Sequence, residues 1–189
     1  VHELLTSSGS MLKELDLANT NISSAALVGV QLPKLEMLKL NDCSNLTDIG
    51  VQELLTTSSS ILKKLDLSRT NISDAALVGV QLPKLEMLTL NVCSNITDTV
   101  VQELLTTSAS ILKVLGLGYS TISDDALVGV HLPKLEVLML EGCSNLTDTV
   151  VQELLTSSGS ILKQLWLGHT DISDAALVGV QLPKLKMLN

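Results

Sequence analysis

One pattern of leucines and intervening polar residues runs through the whole chain and returns every fifty positions. Residues 1–50, 51–100, 101–150 and 151–189 align without a gap. Within each unit the motif Leu-x-x-Leu-x-Leu begins twice, and the distance is 23 residues from Leu12 to Leu35 and 27 from Leu35 to Leu62. Tandem units of this size are typical of solenoids, because a single unit cannot bury its own apolar face.

The apolar spacing inside each unit predicts one strand and one helix per repeat. Residues 15–17 alternate Leu-Asp-Leu, as in a short strand with one buried face. Residues 97–105 carry apolar side chains at helical spacing after a Thr-Asp start. Residues 73–80 predict a second, shorter helix that Ser73 caps and that Pro83 stops before the next strand. Stacked, these units predict an α/β fold, a right-handed solenoid with a parallel sheet on its concave face and short helices on its convex face.

The residues that follow each motif carry a family resemblance. In the 27-residue repeats Cys43, Cys93 and Cys143 stand three residues after the last leucine, in segments such as Cys-Ser-Asn-Leu-Thr-Asp. This pattern resembles the leucine-rich repeat family, and its cysteine-containing subclass in particular, which includes F-box and ribonuclease-inhibitor-like proteins. The resemblance covers the whole chain. It implies a non-enzymatic module that binds proteins, as in the substrate arms of F-box ubiquitin ligases.

The two ends of the sequence interrupt the pattern. Residues 1–11 read as the helical tail of a repeat without its strand, and Asn189 falls inside a strand. We therefore expect a single array over 1–189 that is an uncapped fragment of a longer protein. Open edge strands favour pairing with other chains, so self-association through the uncapped ends is a further expectation.

Charge and composition narrow the classes of partner. The formal net charge of -8 argues against nucleic acid, whose binding needs clustered Lys and Arg. Charged or hydroxylated residues interrupt every apolar run, so the sequence predicts no membrane segment. Six aspartates recur where helices are predicted to begin, and we interpret them as partners of the helix dipole in preference to an acidic recognition patch. They are Asp48, Asp74, Asp98, Asp124, Asp148 and Asp174.

The cysteines and histidines predict neither a disulfide nor a metal or cofactor site. The three cysteines lie two repeats apart, about 10 Å at roughly 4.8 Å per strand, whereas a disulfide needs Cα atoms within about 7 Å. We expect buried thiols bonded to the backbone of the adjacent turn. His2, His131 and His169 are scattered without ligand partners. No nucleophile stands beside a histidine in the pattern, so the chain is predicted not to be an enzyme.

The sequence carries opposing signals for the cellular compartment of the protein. Unpaired cysteines favour an intracellular setting, whereas five glycosylation sequons are typical of secreted proteins. Each sequon occupies a turn position of the repeat, where Asn suits the backbone for its own reasons. They begin at Asn21, Asn45, Asn71, Asn95 and Asn145.

Lysines and glutamates predict a structural charge ladder. Lys13, Lys63, Lys113 and Lys163 share a register with Glu36, Glu86 and Glu136 on the intervening strands. Opposite charges then alternate along the sheet, and such cross-strand pairs stabilise it slightly.

The repeats differ from one another mainly at the x positions in and just after the motif, which are predicted to face the concave side. Two readings are open: a selected binding face on a rigid scaffold, or sites that packing constrains least. In strand order these positions change from charged to apolar. We therefore predict one exposed apolar patch, with Tyr119 and His169 at its rim and Gly116 leaving a notch. The candidate ligand-binding residues are Lys64, Arg69, Met87, Val114, Gly116, Tyr119, Val137, Met139, Gln164, Trp166 and His169.

Three functions fit these observations. A duplicated scaffold with a diversified face favours the sensing region of an innate-immune-type receptor that binds a protein ligand. The cysteine-type repeats favour the substrate-binding arm of an F-box ubiquitin ligase. A structural assembly solenoid without a dedicated ligand is the third.

Overall fold

The computed structural model describes all residues from 1 to 189 and contains one sheet of eight parallel strands in sequence order. Each strand is two or three residues long and belongs to one Leu-x-x-Leu-x-Leu motif. The strands are β1 Glu14–Asp16, β2 Met37–Lys39, β3 Lys64–Asp66, β4 Met87–Thr89, β5 Val114–Gly116, β6 Val137–Met139, β7 Gln164–Trp166 and β8 Met187–Leu188. This is the α/β solenoid that the repeat predicts.

A single aliphatic core runs the length of the sheet. The central leucine of each strand stacks on that of the next, as Leu88 does on Leu115 and Leu115 on Leu138. These side chains are fully covered and belong to one cluster of 50 buried residues. The repeats therefore share one core, and each depends on its neighbours for burial.

The 27-residue repeats form α-helices where the sequence predicts them. After α1 (His2–Ser8) come α2 (Asp48–Ser58), α3 (Asp98–Ser108) and α4 (Asp148–Ser158). In α3 the apolar positions at helical spacing, from Val100 to Leu105, face the core and are buried. No helix in the structure combines the length and apolar character that a membrane crossing requires.

The short helix predicted over residues 73–80 is wrong in its extent. The structure has a single 3₁₀ turn at Asp74–Ala76, and Ser73 Oγ accepts a hydrogen bond from Ala75 N–H at 3.4 Å. Gly79 adopts a φ of 74°, outside the helical range, so the chain turns away four residues before Pro83. The shorter repeat leaves room for one tight turn, which 3₁₀ geometry provides.

The recurrent aspartates join neighbouring repeats, a role beyond the predicted partnership with helix dipoles. Asp98 Oδ1 and Oδ2 accept hydrogen bonds from Ser123 N–H and Oγ–H at 2.7 and 2.6 Å. Asp124 accepts in the same way from Thr147 at 2.9 and 2.7 Å. Hydrogen bonds from Ser173 likewise lower the pKa of Asp148. These carboxylates are structural, as expected, because five of the six, all but Asp174, satisfy backbone and hydroxyl donors of the next repeat.

The cysteines form the predicted ladder of buried free thiols. Cys143 Sγ–H donates to the Leu117 carbonyl at 3.1 Å, and Cys93 donates to the Leu67 carbonyl at 3.2 Å. Burial raises the pKa of both thiols. Each thiol thus bonds the backbone of the preceding repeat and stays protonated near neutral pH.

Three sequon asparagines also link repeats. The side-chain amides of Asn71, Asn95 and Asn145 donate to carbonyls of the preceding repeat at 3.1, 3.4 and 3.0 Å. The structure thus supplies the backbone reason for Asn at these turns.

Candidate functional site

Two rows of side chains cover the concave face, because the first and third residues of each strand point away from the core. One row runs Met87, Val114, Val137 and Gln164 from β4 to β7, each residue paired with the next. The register places Thr89, Gly116, Met139 and Trp166 side by side in the second row. The structure therefore brings together the apolar side chains that the sequence predicts as neighbours.

The predicted exposure of this apolar patch is wrong. Met87, Val114, Val137, Met139 and Trp166 are half-buried, not exposed. Strands about 4.8 Å apart place adjacent side chains in van der Waals contact, so each covers its neighbours. We call these five residues the apolar patch; its side chains are partly covered and partly open to solvent.

The notch predicted at Gly116 does not exist. A Cβ atom on this glycine would lie 2.9 Å from Thr89 Cγ2, 3.0 Å from Asn91 Oδ1 and 3.0 Å from Met139 Cε. Side chains from the strands on both sides thus fill the space that the missing side chain leaves. Gly116 itself is buried.

The variable positions just after the strands form a column with left-handed backbone. Its members all have φ between 54° and 70°, whether glycine or not. The column comprises Asn19, Asp42, Arg69, Val92, Tyr119, Gly142 and His169. Asn, Asp and Gly accept this conformation readily, whereas a β-branched residue such as Val92 is strained in it. Comparison of the repeats with one another identified this column by its variation but did not predict its left-handed backbone conformation.

Tyr119 and His169 meet at the rim of the apolar patch, as predicted. Tyr119 is 50% exposed, and its ring centroid lies 6.3 Å from that of His169. A Cβ on Gly142, the residue between them in the column, would lie 2.3 Å from Tyr119 Cδ1. The glycine therefore lets the tyrosine ring lie across the intervening turn toward His169.

The concave face over β1–β3 carries charges that partner one another or the backbone. Lys39 Nζ lies 3.3 Å from Asp16 Oδ2, and Asp66 Oδ1 accepts a hydrogen bond from Ser68 N–H at 3.0 Å. The predicted site residues Lys64 and Arg69 are exposed here, on the charged side of the apolar patch.

The predicted ladder of lysines and glutamates borders both halves of the face. Lys63, Lys113 and Lys163 bond Glu36, Glu86 and Glu136 at 2.6, 2.7 and 2.6 Å. Hydrogen bonds from these lysines lower the pKa of all three glutamates. The ladder is paired within itself, as expected of a structural feature.

Three polar side-chain atoms on the concave face are buried without any hydrogen-bond partner. They are Thr89 Oγ1, Glu141 Oε2 and Trp166 Nε1. Sequence reasoning missed Thr89 and Glu141. One signal was present for Glu141, which replaces the asparagine found at the equivalent positions Asn41 and Asn91.

Metal-ligating side chains are not clustered in the structure. No three His, Cys, Asp or Glu side chains come together as a metal site. The deeper depressions lie on the helical side and recur with the repeat, such as one of about 390 Å³ lined by Gln102, Leu105 and His131. They follow from the stacking of helix on turn.

Comparison with known proteins agrees with the repeat and its geometry. A family model described as Leucine Rich repeat matches residues 58–80. A solved internalin, InlF from Listeria monocytogenes, matches 95% of this chain with a TM-score of 0.64 and 20% identity. The fold is that of a leucine-rich-repeat solenoid. No curated protein sequence matches it.

Two further solved structures share this solenoid fold at low identity. One, from the yeast complex of Rad7 and Elc1, matches 97% of the chain with a TM-score of 0.61 and 19% identity. A TDR receptor matches 86% of it with a TM-score of 0.52 and 16% identity. The solenoid spans only 56% of the Rad7–Elc1 chain, 48% of the internalin and 31% of the receptor. At these identities the likeness concerns the fold alone.

Proposed function

We propose that the solenoid is a recognition module that binds a protein ligand through the concave face over β4–β7. The observation that carries this proposal is the apolar patch in register across four strands, bordered by the only Tyr of the chain and including its only Trp. Clustered apolar side chains with a polar rim mark interaction sites. Tyr and Trp dominate the energetics of protein interfaces.

The differences between repeats support the same face. Residues 26–30, 76–80, 126–130 and 176–180 all read Ala-Leu-Val-Gly-Val, on the helical side of the solenoid. The left-handed column, in contrast, carries a different residue in each unit. A rigid scaffold with one diversified surface suits a sensing role. We therefore propose the sensing region of an innate-immune-type receptor.

A second candidate is the substrate-binding arm of an F-box ubiquitin ligase. The cysteine-type repeats favour it, because the thiol ladder from Cys43 to Cys143 matches the subclass that the sequence resembles. An F-box segment encoded in the same gene would select this candidate. Both candidates use the concave face, so the test below applies to both.

The test is selection from a library of random linear peptides, followed by calorimetry with the selected peptides. Trp166→Ala should weaken binding by roughly 2 kcal/mol or more, because a central aromatic side chain is removed. Glu103→Ala, an exposed change on α3, is the matched control and should bind like the parent. Circular dichroism should show that all three proteins keep the native fold at the temperature of the binding measurement.

Two outcomes contradict the proposal. Peptides that bind the Trp166→Ala variant as tightly as the parent would place recognition elsewhere. Failure to select any binder, with a folded parent, would favour a structural solenoid without a dedicated ligand.

A further inference from the structure

The three partnerless polar atoms all lie on the concave face of β4–β7. Thr89 is at the end of β4, Glu141 follows β6, and Trp166 ends β7. They are the buried side-chain oxygens and nitrogens of this solenoid that have no hydrogen-bond partner. Native proteins satisfy nearly all such groups, so three unsatisfied ones on one surface require an explanation.

Two glycines of the fifth repeat make room for two of these side chains, those of Thr89 and Glu141. Gly116 and Gly118 stand where the first and third repeats carry Asp16 and Ala18, and Asp66 and Ser68. A Cβ on Gly118 would lie 2.9 Å from Glu141 Cδ and 3.1 Å from its Oε2. Glu141 therefore lies directly over the backbone at Gly118, while Thr89 and Met139 close over Gly116.

The side chains of this cluster have the chemistry of a cation-binding site. Glu141 takes part in none of the five ion pairs of the chain, unlike the glutamates of the ladder. The backbone N–H of Tyr119 donates to the Glu141 carbonyl, so the turns that carry these two residues are adjacent. Trp166 lies on the next strand, where it pairs with Met139, two residues before Glu141. A carboxylate without an ion-pair partner, with a tyrosine and a tryptophan on the neighbouring turn and strand, favours an ammonium or guanidinium group.

We propose that this cluster is a subsite for an arginine or lysine side chain of the protein ligand. The proposal rests on the proposed function and gives the chemistry of the partner at that face. The Glu141 carboxylate accepts the cationic N–H groups, and the rings of Tyr119 and Trp166 flank the charge. Trp166 Nε1 donates to a carbonyl of the ligand, and Thr89 Oγ1 bonds a polar group of its backbone. The net charge of -8 attracts such a ligand at long range.

Entry to the subsite requires a small side-chain movement. Glu141 Oε2 and Trp166 Nε1 are covered in the free protein. Met139, whose Cε lies against the neighbouring Gly116, is a flexible side chain that moves at little cost. The ligand then replaces the covering side chains and supplies the missing hydrogen bonds.

Trp166 is the only Trp of the chain, so its fluorescence reports the subsite directly. We expect N-acetyl-arginine amide to change its emission in a saturable way, and the neutral N-acetyl-glutamine amide to leave it unchanged. Glu141→Asn should weaken the arginine response about tenfold, because a charge-assisted hydrogen bond is lost. Asn occupies the equivalent positions 41 and 91, so this variant is expected to fold.

Asp42→Asn is the matched control. It removes one negative charge from the turn column on the charged half of the face and should respond like the parent. Glu141→Gln provides a second variant of nearly the same shape if the asparagine variant melts early. An equal arginine response in parent and Glu141 variants, an equal response to the glutamine probe, or no response at all would overturn the subsite.

The peptides selected above separate this proposal from the proposed function. Arginine- or lysine-bearing peptides that need both Trp166 and Glu141 support the subsite. Peptides that need Trp166 but bind Glu141→Asn as tightly as the parent overturn the subsite and leave concave-face recognition standing. Peptides that need neither overturn both.

Discussion

The two halves of the concave face differ in chemistry although the scaffold under them is the same. Over β1–β3 the charged groups either pair, as Lys39 does with Asp16, or are exposed to solvent, as Lys64 and Arg69 are. Over β4–β7 the same strand positions carry apolar and aromatic side chains, and Glu141 and Trp166 have polar atoms without partners. The charges of the first half are therefore paired or solvated, whereas the apolar half has covered hydrogen-bonding groups that only a ligand or solvent can meet.

This contrast shows how a duplicated solenoid acquires a site. The central leucines, the thiol ladder and aspartate bonds such as those of Asp48 and Asp98 recur in both halves, so the fold does not depend on which side chains face outward. Substitutions at a few outward positions, such as Gly118 and Glu141, then suffice to bring new chemistry together. The predictions below test whether the two halves differ only at the surface.

The largest effect is expected from truncating the core beneath each half. Leu38→Ala lies under the charged half and Leu138→Ala under the apolar half, and both leucines are fully buried. Each variant should lose roughly 2–5 kcal/mol of unfolding free energy in urea titrations, because a cavity replaces a packed side chain. The two losses should agree to within about 1 kcal/mol. A much larger loss at one site would show that the halves differ in their core as well.

Thiol reactivity provides a second comparison. The buried thiols of both halves should react with a thiol probe about a hundredfold or more slowly in native buffer than in denaturant, since labelling needs local opening. For Cys93 and Cys143 the raised pKa adds to this protection, because less thiolate is present near neutral pH. Denaturant should release all three equivalents. Fast labelling in native buffer would contradict the buried ladder of thiols. Mass spectrometry of the labelled protein would then identify which half opens.

A smaller, stabilising effect is expected at Val92, where the two halves meet. This β-branched residue adopts a φ of 60°, as does Asp42, and Gly142 at the next equivalent turn has a φ of 70°. Val92→Asn should raise stability by about 1 kcal/mol, which corresponds to a melting temperature about 2–4 °C higher. Val92→Ala is the control and should gain less, since alanine lacks the local hydrogen bonds that let asparagine accept this conformation. A lower melting temperature for the Asn variant would mean that packing at Val92 outweighs its backbone strain.

The smallest effect is expected on stability in acid. The lysine–glutamate ladder contributes to this stability in both halves. Lysine hydrogen bonds hold the pKa of Glu36 and Glu136 below the ordinary value of 4.5. Their contribution to stability is therefore fully present above about pH 4.5 and is lost as the pH falls through the lowered pKa. Glu36→Gln and Glu136→Gln should each make the loss of stability below this pH slightly less steep. Urea titrations across the acid range measure the free energy of unfolding at each pH. A steeper loss of stability in either variant would contradict a stabilising role of the ladder.

Much of the site was predictable because a strand has a strict period of two. Once the leucines of Leu-x-x-Leu-x-Leu are assigned to the core, the residues between them must face outward. The neighbours Val114 and Val137, or Met139 and Trp166, then follow from stacking the motifs in order. The buried thiols were predictable for the same reason, since Cys143 has a fixed offset from its strand.

The sequence by itself determined the repeat, the parallel order of the strands, the core and the set of side chains on the concave face. Only the tertiary structure decided how those side chains use the space between them. Taken alone, the missing side chain of Gly116 predicts a gap on the concave face. In the structure, Thr89 and Met139 fill this gap from the adjacent strands. The left-handed backbone of Tyr119 and the partnerless oxygen of Glu141 likewise depend on contacts between repeats. Periodicity is a local property of the chain, whereas side-chain packing depends on neighbours 23 to 27 residues away, and it is packing that gives this face its chemistry.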